Sequence, residues 1–348
     1  MTIRHSFRND YSEGAHERIL KTLAETNMMQ QDGYGEDDYC MEASRLIKGK
    51  LGNDDVDIHY ISGGTQANLI VISSILRPYE SVIAANTGHI NTHEAGAIEA
   101  TGHRINAVDS ADGKLTPDMV KLVLDEHTDE HMVKPGMVYI SNSTEVGTVY
   151  KKDELAALYE YCRENGLYLF MDGARLGSAL ESRESDLEFS DMEKYTDVFY
   201  IGGTKNGALL GEAIVISNDD LKKCFRYSLK QKGALLAKGR IIGVQFLELF
   251  RDGLFEENAS HANDMAFRIS DAIADLGYGF IGTPSSNQIF PILPNELIEK
   301  LSEKYLFYVW SKEGEDSSSI RIVTSWATPV EAVEEFIEDI GEIKEMLR

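Results

Sequence analysis

The sequence predicts an α/β fold: a mostly parallel sheet with helices on both faces, followed by a smaller α+β domain. Apolar runs at 57–61, 81–85, 136–141, 167–171, 198–201 and 213–216 alternate with segments of helical periodicity. Runs that are apolar throughout, rather than at every second residue, belong to strands buried on both faces, as in a parallel sheet between helices. The polar clusters Ser62-Gly63-Gly64-Thr65, Asp172-Gly173-Ala174-Arg175 and Gly202-Gly203-Thr204-Lys205 each follow such a run directly. Ligands of open α/β sheets bind beyond the carboxyl ends of the strands, so these clusters mark the candidate site.

The elements follow in order. Residues 57–61 form a strand that ends in the Ser62–Thr65 cluster, and 66–76 a buried helix stopped by Pro78. Residues 104–108 alternate and lead to the turn at Asp112-Gly113, and 117–126 form a helix with Thr116 as N-cap and Pro117 in its first turn. The helix at 153–165 is the clearest: Leu155, Leu158, Tyr159 and Cys162 share one face, and Gly166 ends it. After about residue 245 charge-rich helical segments dominate, with strands expected at 305–310 and 320–324 and an acidic, solvated helix at 330–347. The domain reading is an N-terminal segment, 1–48, packing on both domains, a large cofactor-binding domain, 49–245, and a small C-terminal domain, 246–348.

Composition narrows the function. The 348 residues are 43% hydrophobic, enough for a sizeable core. Lys+Arg number 34 against 58 Asp+Glu, a formal net charge of -24 that repels nucleic acid and anionic membrane. An anionic ligand would need a positive site built against that field. No apolar leader and no run of about 18 apolar residues is present. The cysteines, Cys40, Cys162 and Cys224, are odd in number and widely spaced, which fits a reducing cytoplasm and no zinc cluster.

Certain residues carry chemistry. Lys205, in a glycine-rich loop after an apolar run, is either a surface lysine or a desolvated amine able to attack a carbonyl. Asp172 ends an apolar strand and needs a partner, either Arg175 or the protonated ring nitrogen of a cofactor. Gly64 and Thr65 open a helix and can present backbone N–H groups to a phosphate. His89 and His93 are four apart, and His89 is a metal ligand, a ring stacked on a flat cofactor, or a histidine satisfied locally. Arg321 lies inside an apolar strand and grips a carboxylate, of the protein or of a substrate.

Together these motifs resemble those of the L-threonine aldolases and related β-eliminating lyases, fold type I enzymes dependent on pyridoxal 5'-phosphate (PLP). The resemblance spans nearly the whole chain. It rests on Tyr34-Gly35-Glu36-Asp37, Gly64 to Leu69, His89 with Glu94-Ala95-Gly96, Asp172 to Arg175, Thr204-Lys205 and Arg321 to Thr324. It implies a PLP-dependent transferase-like large domain of the aspartate aminotransferase type and cleavage of L-threonine, or a related β-hydroxy-α-amino acid, to glycine and an aldehyde. The alternative is β-elimination from another L-amino acid. Lys205 would hold PLP as a Schiff base, Asp172 pair with its ring nitrogen, and Gly64, Thr65 and Thr204 lie at the cofactor. His89 would stack on the ring and serve as base, directly or through water. Asn9, Tyr34, Arg175 and Arg321 would contact the substrate, Arg175 near the cofactor as well. The resemblance implies no metal, and a homodimer or homotetramer with Lys238 or Arg240 reaching the neighbour's phosphate. The chain departs from the family pattern with Asn9 for Ser, Thr204 for Ser, Asn206 for Gly, and a loop at 142–147 in which no histidine occurs.

Overall fold

The computed structural model describes residues 3–347. Its central sheet has seven strands: β1 (Asp57–Ile61), β2 (Glu80–Ala85), β3 (Ile105–Val108), β4 (Lys134–Ser141), β5 (Tyr168–Asp172), β6 (Val198–Gly202) and β7 (Glu212–Ile216). Their spatial order is β1-β7-β6-β5-β4-β2-β3. Only β7 runs against its neighbours; every other pair in the sheet is parallel.

Alternate residues of these strands feed two cores. Ile83, Val138, Leu169, Phe199 and Val215 face one, with α1 (Glu17–Thr26) and α2 (Asp38–Leu51) among its helices. Val82, Met137, Phe170, Val198 and Ile214 face the other, against α3 (Gly64–Ile75). The helix α4 (Lys152–Glu164) buries Leu155, Leu158 and Cys162 in the first core, the stripe its spacing predicts. The predicted cap at Pro117–Glu126 is also present: the Thr116 side chain accepts from the Met119 amide. The helix α5 (Arg240–Phe250) completes that core and joins α6 (Leu254–Asp275), which leads into the C-terminal part.

A third core lies under an antiparallel sheet of Gly279–Phe280, Gln288–Ile289, Pro291–Pro294, Tyr308–Lys312 and Ser317–Val323. The first three strands are too short to register as a pattern. The single strand expected at 305–310 is two: Tyr305–Leu306 pairs with His5–Ser6, Phe307 turns inward, and Tyr308–Lys312 pairs with Ser317–Val323. The final helix α7 (Val330–Met346) is not simply a solvated face. Val333, Phe336, Ile340 and Ile343 are buried along one side, a helical stripe hidden in an acidic composition. Buried Asp339 on that side accepts from Tyr305 Oη at 2.7 Å and Arg4 at 3.0 Å. No helix among the described residues is long and apolar enough to cross a membrane.

Two glycines bring the ends of β5 and β6 together. A Cβ on Gly173 would lie 1.9 Å from the Tyr200 carbonyl oxygen, and one on Gly202 would lie 2.2 Å from that of Ala174. The Gly202 amide donates to the Gly173 carbonyl at 2.9 Å, closing the gap between the strand ends that precede Lys205 and follow Asp172. Gly173→Ala forces backbone apart rather than a side chain aside. The expected cost is at least about 3 kcal/mol in a denaturant titration; a midpoint equal to that of the parent protein would show that the strands can separate freely.

Candidate active site

The carboxyl ends of β1, β2, β4, β5 and β6 converge on a cavity of about 330 Å3 lined by Gly64, Thr65, His89, Asp172, Arg175, Thr204 and Lys205, among others. Asp172 is buried at its floor. Its Oδ2 accepts from Tyr139 Oη at 2.6 Å and Asn68 Nδ2 at 3.2 Å; its Oδ1 accepts from the Ala174 amide at 3.0 Å and from Tyr200 Oη. Burial pushes this carboxyl up, but His89, the two tyrosine hydroxyls and the amide outweigh it and hold Asp172 below its ordinary range. Burial, and then the charge of Asp172, push both tyrosines far up, so they stay neutral donors.

Lys205 follows the end of β6 and lines the same cavity. Burial, reinforced by Arg175, lowers its ammonium, against the opposing pull of Asp10, Asp172 and Glu212. A lysine so placed reaches the neutral, nucleophilic amine more readily than one in water. The preceding turn is clamped by Glu212, which stands opposite Gly202 in the register of β6 and β7. Its carboxyl accepts from the Gly203 amide and the Thr204 hydroxyl, both at 3.0 Å. Burial raises the Glu212 carboxyl, and Lys205 opposes that rise. Thr204 also accepts from the Gly211 amide at 3.0 Å, so its hydroxyl is part of the turn.

The N-terminus of α3 opens on the cavity. Its cap, Gly63, has no side chain, so the first-turn amides of Gly64 and Thr65 are left without a capping partner. A Cβ on Gly64 would stand 2.9 Å from Tyr200 Oη, so only bare backbone fits. Unpaired amides at a helix start form an anion cup. The residues thus fit PLP: a buried carboxylate for its ring nitrogen, an amine for its carbonyl and amides for its phosphate. Asn68 also donates to Glu94 at 2.7 Å, so its place on Asp172 can pass to a ring N–H.

His89 lines the cavity with Nδ1 held by Glu94 at 2.8 Å. That contact fixes the orientation of the ring, with Nε2 on its far side. The His93 ring meets it edge-on at 5.7 Å. Among the described residues no group of three or more His, Cys, Asp or Glu side chains is arranged to hold a metal.

Arg175 does not pair with Asp172. Its Nε and Nη2 donate to the two oxygens of buried Asp10 at 2.7 and 3.0 Å, and Asn287 adds a third donor to Asp10 at 2.9 Å. Arg321 donates from Nε to Gln288 Oε1 at 3.2 Å. Burial, and then repulsion from Arg175, lower its guanidinium to about 10. Two arginines near enough to repel, with one carboxylate between them, make a site for a further anion. Asn9 lies beside this site, but its Oδ1 turns back to the Tyr11 amide and the Ser12 hydroxyl. Tyr34 is exposed outside the cavity, its ring under Lys230 at 4.5 Å.

The pattern of the beta-eliminating lyase family matches residues 7–293. The chain belongs to that family. This family member is 33% identical to a low specificity L-threonine aldolase of Pseudomonas aeruginosa over 338 residues, 96% of each chain. Its structure matches that of the threonine aldolase of Leishmania major with a TM-score of 0.96 and 47% identity, over 97% of this chain and 99% of that one. The aspartate aminotransferase of Thermus thermophilus matches with a TM-score of 0.70 over 98% of this chain and 91% of that one, at 13% identity, and shares the fold. The expected fold class, a fold type I PLP enzyme with a mostly parallel sheet, is therefore that of this lyase.

The sequence assigns no role to Tyr139, Tyr200, Glu212 or Gln288, and marks Asp10 and Asn68 only as members of the motifs at Asn9-Asp10 and Gly64 to Leu69. Glu212 had a visible signal, a carboxylate beside an apolar run. The tyrosines are hidden within apolar strands, and Asp10 meets Arg175 across 165 residues. Asp10→Asn in this lyase removes the charge that anchors Arg175. Breaking such a buried pair is expected to cost about 3–5 kcal/mol in equilibrium unfolding; a loss below about 1 kcal/mol would mean that water serves Arg175 equally well.

Proposed function

We propose that this lyase cleaves L-threonine, or a related β-hydroxy-α-amino acid, to glycine and an aldehyde, with PLP carried on Lys205. The observation that supports it most is the meeting, in one cavity, of a desolvated Lys205 amine, buried Asp172 and an uncapped helix start. When bound, PLP supplies a sink for the electron pair left at Cα as a bond to that carbon breaks.

The chain's own residues do the rest. Asp172, kept ionised by its donors, would hold the ring N–H and its positive charge. The Gly64 and Thr65 amides would bind the phosphate. His89, fixed by Glu94, would lie against the ring. Arg175 and Arg321 bind the substrate carboxylate and so orient the Cα–Cβ bond. Lys205, in the same cavity, would return a proton at Cα. Glu212 and Thr204 keep the turn of Lys205 in place.

Tyr34 lies outside the cavity of its own chain, so it would reach substrate only in a second copy. Leu20, Met28, Met29, Met41 and Tyr227 are exposed around that N-terminal region, an apolar surface suited to a homodimer or homotetramer. Lys238 is exposed nearby, whereas Arg240 is spent on the Met29 and Thr26 carbonyls at 2.7 and 2.8 Å. The three free thiols suit a reducing cytoplasm.

The deciding assay is aldehyde release from L-threonine with added PLP, read through alcohol dehydrogenase. Release is expected from the parent protein, with both turnover and the yellow absorbance lost in Lys205→Ala. Ammonia and a keto acid as products would replace this reading with β-elimination. Arg321→Leu removes a charge-assisted partner of the carboxylate and is expected to raise KM roughly 10- to 100-fold; an unchanged KM removes Arg321 from the site.

A further inference from the structure

Three carboxyl groups line the cavity: Asp172, Glu212 and Glu145. Asp172 is filled by four donors. Glu212 spends one oxygen on the Gly203 amide and the other on the Thr204 hydroxyl. Glu145 differs. Its Oε1 accepts from Ser141 Oγ at 2.6 Å and from the His89 amide at 2.9 Å, both neutral donors. Both of these bonds fall on Oε1; among the described residues none reaches Oε2, and the side chain lines the cavity. Glu145 follows β4, whose last residue, Ser141, stands in register with Asp172. The carboxyl is thus fixed at one oxygen, from β4 and from the loop after β2, and free at the other.

Among these carboxyls, Glu145 alone keeps an oxygen free for a substrate. We propose that Glu145 is the base that takes the proton from the β-hydroxyl of the substrate. This role rests on the aldol cleavage proposed above. The competing group is His89, whose Nε2 also lacks a partner.

The step balances as follows. The β-hydroxyl proton passes to Glu145 Oε2 and the O–H electron pair becomes the second bond of the aldehyde carbonyl. The Cα–Cβ pair stays with Cα, where bound PLP would supply the sink, and the aldehyde leaves. Lys205 returns a proton to Cα, giving glycine, and Glu145 loses its proton to solvent, from which Lys205 is recharged. No oxidant or second substrate is consumed.

The surroundings suit such a base. Burial, with Asp172 adding to it and Ser141 opposing, raises the Glu145 carboxyl above its ordinary range, and a stronger base accepts a hydroxyl proton more readily. The titratable groups that act on it are Asp172 on β5, Tyr139 on β4 and Tyr150 beyond β4, and the His89 ring lines the same cavity. A base must be ionised to act, so turnover falls as pH drops through the Glu145 titration.

The test is Glu145→Gln in the PLP-loaded enzyme, which keeps the shape and an acceptor for Ser141 and His89. Glycine has no β-hydroxyl, so its affinity, read by absorbance titration, and the exchange of its α-proton in heavy water report the rest of the site. The expected result is a fall in kcat for L-threonine of about 10²- to 10⁴-fold, loss of the acidic limb of the pH profile, and glycine affinity and exchange within about threefold of the parent. Glu145→Asp should recover part of the rate. A kcat within about threefold of the parent, or a retained acidic limb, would overturn the proposal in favour of His89. Equal loss of glycine exchange would overturn it in favour of a structural role. Failure of the parent enzyme to cleave L-threonine while it exchanges glycine is a separate result: it defeats the aldolase reading, and this role with it, before any variant is made.

Discussion

A carboxylate is kept ionised inside the protein core, and the site is arranged around it. Asp172 sits where water cannot solvate it, and an isolated charge there would take up a proton. Two tyrosine hydroxyls, an asparagine amide and a backbone amide prevent this. Each donor comes from a different element: β4, β6, α3 and the turn after β5. The charge is thus a common anchor for the strand ends, and the electronic character of the ring site depends on how well those elements are aligned. Asn68 extends the network to Glu94, and Glu94 to His89. Asp172 and His89 therefore share one hydrogen-bonded chain.

The anion sites work against the molecule's overall charge. A net charge of -24 disfavours both a phosphorylated cofactor and a carboxylate substrate. In the proposed function the chain answers locally, with helix amides for one anion and two arginines for the other. Arg175 and Arg321 are near enough that repulsion weakens the hold of Arg321 on its proton. Asp10 relieves only part of that repulsion, because its oxygens are already committed to Arg175 and Asn287. In the proposed function the uncompensated remainder would be neutralised by a substrate carboxylate. Electrostatic strain of this kind turns ground-state repulsion into affinity and direction.

Much of this was legible in the sequence, for identifiable reasons. Fully apolar strands leave a strong pattern, so the central sheet and the three clusters at its carboxyl ends stood out. Lys205, Asp172, Gly64 and Thr65 lie in those clusters and are brought together as the spacing suggested. What remained hidden depends on contacts distant in sequence. Asp10 has no local mark beyond its motif position and acquires its place only beside Arg175. Tyr139 and Tyr200 read as core residues, because their rings are core and only their hydroxyls face the site. Asn9 drew attention at a motif position, while the side chain that reaches the arginine is its neighbour. The short strands at Gly279–Phe280 and Gln288–Ile289 have too few residues for periodicity to exist. The stripe on α7 was masked because its acidic residues dominate a composition-based reading.

The N-terminal segment ties distant parts of the chain together. His5–Ser6 lies alongside Tyr305–Leu306, and four residues after Ser6 Asp10 meets Arg175 and Asn287. The partners at 287 and 305 lie in the C-terminal part, so the seat of Asp10 is built both from the central sheet and from that part. A chain cut before that part would keep Asp10, Arg175 and Lys205 in its sequence, yet lose the Asn287 donor and the strand pairing that hold Asp10 against Arg175.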